Sequence, residues 1–217
     1  MKKLFGDIPK TDKVIVLDID ETALNTKNCK NGYINMKLFT GKESLSYRDR
    51  VYRFVLEDYD DVGSGKNEQC WGIERPYIHE FIAFCFNYFK YVVVWSAGQR
   101  SYVHTVVDIL FRHHQRPHLI LTYDDLVVIN GEKTKPLSLV SRLTGVSLSK
   151  IWLLDDRAEN FIDNPQNGIL ILEYNPPGTH ESFIKDDQAL PSLMKWLNRP
   201  EVMKAEDIKT LDTSNIF

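Results

Sequence analysis

The chain has 217 residues, with 27 basic and 30 acidic side chains leaving a formal net charge of −3, and 43% of it is hydrophobic. That length suits a single domain carrying an insertion, and the apolar content excludes a disordered chain. The mildly acidic balance offers no field for gathering phosphate backbones, so direct nucleic-acid binding is not expected; no apolar run approaches the roughly 20 residues of a membrane-spanning helix.

The opening MKKLFGDIPKTD has two lysines without a following apolar run, which predicts no secretory leader. Cys29, Cys70 and Cys85 are irregularly spaced and read as free thiols of an intracellular protein, with nucleus and cytoplasm left undistinguished. VIVL at 14–17 is short, apolar and followed by acids, the pattern of a strand buried on both faces. Residues 23–74 are polar and mixed and read as an insertion; Tyr33, Phe39, Tyr52, Phe54 and Trp71 give it enough apolar surface to pack. Its GSGKN at 63–67 lacks the spacing of a nucleotide-binding loop and follows no strand.

Beyond Pro76, residues Ile78, Phe81, Ile82, Cys85 and Phe89 recur at helical spacing, and YVVVW at 91–95 is a second buried strand. Val103, Val106, Val107 and Leu110 predict another helix; the histidines and arginines at 112–118 read as its solvated end. Residues 118–134 contain two short β-rich runs around Tyr123-Asp124-Asp125 with a turn pair at Asn130-Gly131, predicting a small β insert. Leu137, Val140 and Leu143 mark a short helix, IWLL at 151–154 and ILIL at 169–172 two more buried strands, and Leu190, Leu193, Met194 and Leu197 a last helix. The final dozen residues are polar, which predicts a frayed end. Strands alternating with helices predict an α/β fold over 1–217, with a central parallel sheet and helices on both faces.

The strongest local signal is VIVLDIDET at 14–22, where a buried strand runs into Asp18, Asp20 and Glu21. Residues i and i+2 of an extended chain face the same way, so Asp18 and Asp20 can share a site, and two such carboxylates repel unless a cation or proton intervenes. A solvated, helix-capping turn explains the acids equally well when they are taken alone. IWLLDDRAEN at 151–160 is a second strand ending in acids, Asp155 and Asp156, and YVVVWSAG at 91–98 ends in Ser96. A parallel sheet gathers such ends at its carboxyl edge. Asp18, Asp20, Asp155 and Asp156 there make an oxygen-rich site suited to Mg²⁺, and Lys135, just ahead of a short helix, can add a positive charge. These parts suit phosphoryl transfer: Asp18 attacking phosphorus, Asp20 as general acid and base, Ser96 and Lys135 holding phosphate oxygens.

On these residues the sequence resembles the haloacid dehalogenase superfamily of phosphatases, whose signature is D-x-D-x-T/V followed by a Ser/Thr, a Lys and an acidic pair. The DIDET form, with the segments at 74–98, 135–143 and 151–171, is similar to the small NIF-type phosphatases acting on the carboxy-terminal tail of RNA polymerase II. The resemblance, spanning about residues 12–197, implies a Rossmann-like fold with an insertion after the first strand. It implies Asp18 as nucleophile, Asp20 as acid/base, Ser96 and Lys135 as phosphate binders, and Mg²⁺ held by Asp18, the Asp20 carbonyl and Asp156, with Asp155 beside them. It also implies a phosphoprotein or phosphopeptide substrate carrying phosphoserine or phosphothreonine, such as the polymerase tail. The departures concern substrate: DIDETALNT lacks the family's following His, and Leu121-Thr122-Tyr123-Asp124 lacks an Arg that members often carry there. A small-molecule phosphatase with 23–74 as its cap, and a non-catalytic scaffold of the same fold, are the alternative readings.

Overall fold

The computed structural model describes residues 11–28, 37–57, 62–129 and 131–217. Cys29, Tyr33, the Asp60-Asp61 pair and Asn130 lie outside them. In chain order the elements are β1 (Val14–Leu17), β2 (Leu24–Asn28), α1 (Lys37–Thr40), β3 (Val51–Leu56), β4 (Glu68–Glu74), α2 (Ile78–Tyr88), β5 (Tyr91–Trp95), α3 (Arg100–Leu110), β6 (Leu119–Leu121), β7 (Val127–Ile129), β8 (Glu132–Thr134), α4 (Leu137–Thr144), β9 (Ile151–Asp155), β10 (Gly168–Leu170), α5 (His180–Ile184), α6 (Ala189–Leu197) and α7 (Pro200–Lys204).

Five strands form a parallel sheet in the order β10-β9-β1-β5-β6, with β1 between β5 and β9. Every residue of β1 is buried, and alternation along it divides the core between two faces. Ile15 and Leu17 pack with residues of α2, α3 and α6; Val14 and Val16 pack with Leu137 and Val140 of α4 and with Phe161. Helices therefore cover both faces. From β1 the chain builds outward through β5 and β6, then returns across β1 to add β9 and β10. That reversal beside β1 is where a ligand crevice forms at the carboxyl edge.

The segment read as an insertion carries β2, β3 and β4 as an antiparallel sheet in the order β2-β4-β3. Gly72 sits in β4 because a Cβ there would lie 2.2 Å from the hydroxyl of Tyr52, which crosses the strand from β3.

Four expectations from sequence need correction. Within 118–134, β6 is not part of a separate insert: it pairs parallel with β5 and completes the main sheet, leaving only the β7–β8 hairpin. ILIL at 169–172 is an edge, not an interior strand, so Ile169 and Ile171 are buried while Leu170 and Leu172 are exposed. Leu143 is exposed on the outer side of α4. The polar carboxyl-terminal stretch is anchored, with Ile208 and Ile216 buried against the α2/α3/α6 core. Alternation of burial at a sheet edge and two isolated apolar anchors are both invisible to periodicity. No helix among the described residues is long and apolar enough to cross a membrane.

Candidate active site

The backbone amide of Asp18 donates to Leu154 O at 3.0 Å, so the β1–β9 ladder continues into the first acid of the motif. Beyond it the chain turns sharply: Ala23 N donates to Ile19 O at 2.8 Å and Glu21 N to Leu24 O at 2.7 Å. Glu21 adopts φ 62°, a left-handed conformation rare for a non-glycine residue and characteristic of constrained functional turns. Ile19 is fully buried in the core, which leaves Asp18 and Asp20 on the opposite side of the chain as their spacing requires.

Lys135 is the electrostatic centre. It follows β8, is almost completely buried, and its Nζ donates to Asp18 Oδ1 at 2.5 Å and Asp155 Oδ2 at 2.6 Å. Burial alone would lower its pKa, but the two carboxylates outweigh it and hold the ammonium above its ordinary value. Burial, opposed by Lys135 and reinforced by Asp155, pushes Asp18 up.

Asp155 is held on every side. Its Oδ1 accepts from Arg157 N and Asn160 Nδ2, both at 2.9 Å, and its Oδ2 accepts a further contact from Asn160 at 2.8 Å besides Lys135. Asp156 is half-buried, with Oδ1 accepting from Thr22 Oγ1 at 3.0 Å, and burial raises its pKa. One carboxylate oxygen from each of Asp18, Asp155 and Asp156 lies within 4.8 Å of the other two. An all-oxygen, anionic donor set of that size fits a hard divalent cation that retains waters. Asp155, whose oxygens are already satisfied, is better placed to fix Lys135 than to bind directly.

The Asp20 side chain points away from this trio, toward β5 and α3. Its Oδ2 accepts from Ser96 Oγ at 3.4 Å and its Oδ1 from the Tyr102 hydroxyl. Ser96 is itself held by Gly98 N, which donates to Oγ at 3.0 Å. Tyr102 lies 2.7 Å from Thr26 Oγ1, which lies 2.7 Å from the Tyr52 hydroxyl. Each hydroxyl has one proton, and Tyr102 gives its own to Asp20, so the chain runs Tyr52 to Thr26 to Tyr102 to Asp20. Burial, then the Asp20 charge, pushes the Tyr102 phenol up and keeps it a donor. Burial also raises Asp20, against the opposing Tyr102 hydrogen bond.

All six residues singled out in the sequence thus stand at one sheet edge, in two groups: Lys135 with Asp18, Asp155 and Asp156, and Asp20 with Ser96. Sequence reasoning missed Tyr102, Thr26 and Asn160 as partners, and gave Thr22 no role beyond its place in the DIDET motif. Tyr102 lies seven residues after β5 and Asn160 five after β9, positions that no spacing rule marks. Gly98 carried a signal, since a Cβ there would lie 2.7 Å from the Tyr102 ring. Two cations flank the Tyr123–Asp125 turn, which has no Arg of its own: Arg100 donates to Asp124 at 3.2 Å and Lys133 lies 3.6 Å from the Tyr123 ring centre.

Residues 13–209 match the model of the family described as NLI interacting factor-like phosphatase. A CTD phosphatase-like protein of Invertebrate iridescent virus 3 is 26% identical over 197 residues, 85% of this chain and 95% of that protein. The ubiquitin-like domain-containing CTD phosphatase 1 of Gallus gallus is 24% identical, with 98% of this chain and 70% of that protein covered. For its Xenopus laevis counterpart the values are 22%, 92% and 52%, so the chain spans about half of that relative. Among solved structures, Fcp1, an essential RNA polymerase II CTD phosphatase, superimposes with a TM-score of 0.57 at 17% identity, covering 86% of this chain and 47% of that one. A beryllium fluoride-bound fission yeast Fcp1 variant gives 0.57 at 18%, with 85% and 49% covered. At those identities the likeness establishes the haloacid dehalogenase-type fold.

Proposed function

We propose that this chain, which belongs to the NLI interacting factor-like phosphatase family, is a Mg²⁺-dependent phosphatase of phosphoserine or phosphothreonine in proteins, working through an aspartyl-phosphate on Asp18. The observation that carries this reading is the division at the sheet edge: one buried acid is ion-paired with a fixed ammonium, and a second acid two residues away accepts hydrogen bonds from the hydroxyls of Ser96 and Tyr102.

Asp18 Oδ attacks phosphorus in line and the ester oxygen departs. Asp20, raised by burial toward its protonated form, donates to that oxygen; once ionised, it takes a proton from the water that hydrolyses the acyl phosphate. Lys135 and the Ser96 hydroxyl steady the phosphate oxygens as charge redistributes. Asp155, tied down by Asn160 and Arg157 N, fixes Lys135. Asp18, the Asp20 carbonyl and Asp156 would hold Mg²⁺, which offsets repulsion between the nucleophile and the phosphate oxygens. Thr22 orients Asp156 for that task.

The names of the relatives support a phosphorylated RNA polymerase II tail as the substrate type. The intact set Asp18, Asp20, Ser96, Lys135 and Asp156 speaks against a scaffold without catalysis. Mg²⁺-dependent release of phosphate from p-nitrophenyl phosphate and from a diphosphorylated Ser-Pro heptad peptide tests both levels. Asp18→Asn should reduce turnover by about 10³-fold or more on either substrate. Near-wild-type turnover in that variant would remove Asp18 as nucleophile; hydrolysis of the small ester without the peptide would redirect the substrate to a small molecule.

A further inference from the structure

Away from the sheet edge, the start of α2 and the turn after α3 bring four ionisable side chains together. Glu74 ends β4 and is buried; Arg112 donates from Nη1 to its Oε1 and from Nη2 to its Oε2, the latter at 3.4 Å. His79 Nε2 stands 2.8 Å from Glu74 Oε2, and on the far side of the same ring His79 Nδ1 stands 3.0 Å from His114 Nε2. His113 follows, its ring centre 6.5 Å from that of His79.

The tautomers follow from the partners. A buried carboxylate paired with Arg112 accepts Nε2–H of His79 and leaves the Nδ1 lone pair to accept Nε2–H of His114. A carboxylate behind one ring nitrogen and a lone pair on the other is the arrangement that orients metal-ligating histidines. A metal ion takes both nitrogens once the His114 proton moves from Nε2 to Nδ1 of the same ring or to solvent. Two nitrogens on a tetrahedral Zn²⁺, each at about 2.0–2.1 Å, stand about 3.3 Å apart, so the pair needs to open by only a few tenths of an ångström. Both rings are half-buried and reach solvent.

We propose that His79 Nδ1 and His114 Nε2 form a second metal site for a borderline cation of the zinc class, oriented by Glu74 and completed by solvent. Imidazole nitrogens prefer such a cation, whereas the carboxylates at the sheet edge select a hard one, so the two sites sort different metals.

The test uses the full chain with excess Mg²⁺ present. Titration with Zn²⁺ is followed by calorimetry, and one equivalent of Cu²⁺ by electron paramagnetic resonance, which separates nitrogen from oxygen ligands. Wild type should show coupling to at least two imidazole nitrogens, with one fewer in His79→Gln and in His114→Gln, and Zn²⁺ affinity at least tenfold weaker in each. The signal should persist in Asp18→Asn and in the exposed-site control His104→Gln, which separates this site from the catalytic one. Glu74→Gln should weaken Zn²⁺ by about 10–100-fold; because that change also frees Arg112, the surface variants with wild-type melting curves carry the decision. Oxygen-only coupling, or Zn²⁺ affinity unchanged in both histidine variants, would overturn the site.

Discussion

Asp18 and Asp20 are separated by one residue and live in opposite surroundings. Asp18 shares a buried ammonium with Asp155 and lies within reach of Asp156, so its environment is ionic and complete only with cations. Asp20 is held by hydroxyls, Ser96 on one oxygen and Tyr102 on the other, in a chain that reaches Thr26 and Tyr52 of the antiparallel sheet. The contrast shows how one strand end can place two carboxylates in different surroundings, as the proposed division between nucleophile and acid requires. Burial raises both carboxyls; the fixed ammonium of Lys135 is the chief opposition at the first, and the Tyr102 hydroxyl is the chief opposition at the second.

The sharpest way to break the contrast is at the acids themselves. Asp20→Asn should slow turnover by about 10²–10⁴-fold while leaving the fold intact, less than Asp18→Asn does because the nucleophile survives. Phosphoenzyme formation and decay should both slow in single-turnover experiments; a loss confined to decay would leave another group as the acid.

Removing the cation attacks the other half. Lys135→Met leaves Asp18 and Asp155 buried without their counter-ion and should cost about 3–5 kcal/mol in urea unfolding. The sign with pH is set by the stranded carboxylates. The Asp18 pKa, already raised by burial, rises further without the ammonium, so the folded state binds more protons and the deficit shrinks as pH falls. An equal deficit at acid and neutral pH would mean that Lys135 acts through packing alone.

The smallest expected effect sharpens the Asp20 side. Tyr102→Phe deletes the hydrogen bond that opposes the burial-driven rise of Asp20. The Asp20 pKa should then climb further, moving the alkaline limb of the kcat profile to higher pH with only a few-fold change in maximal rate, about 1 kcal/mol. A limb that stays in place would show that Tyr102 does not tune the acid.

The histidine-rich turn after α3 offers a similar lesson. In sequence, adjacent His113 and His114 read as a solvated helix end, because neighbours on a helix point apart. In the fold, the partner of His114 is His79, 35 residues away, with the buried Glu74 behind it.

The sequence by itself determined the architecture and which polar groups gather at the sheet edge. Buried strands in a parallel sheet are continuously apolar, and polar residues at their carboxyl ends must meet at one edge, so Asp18, Ser96, Asp155 and Asp156 could be placed together without coordinates. Tertiary structure alone decided who faces whom. That Lys135 bridges Asp18 and Asp155, that Asp20 turns to Tyr102, and that β6 joins the main sheet all depend on contacts across long sequence separations. So do the alternating burial of β10 and the anchoring of Ile208 and Ile216. Periodicity reports which side of an element is buried; it carries no information about which other element is packed against it.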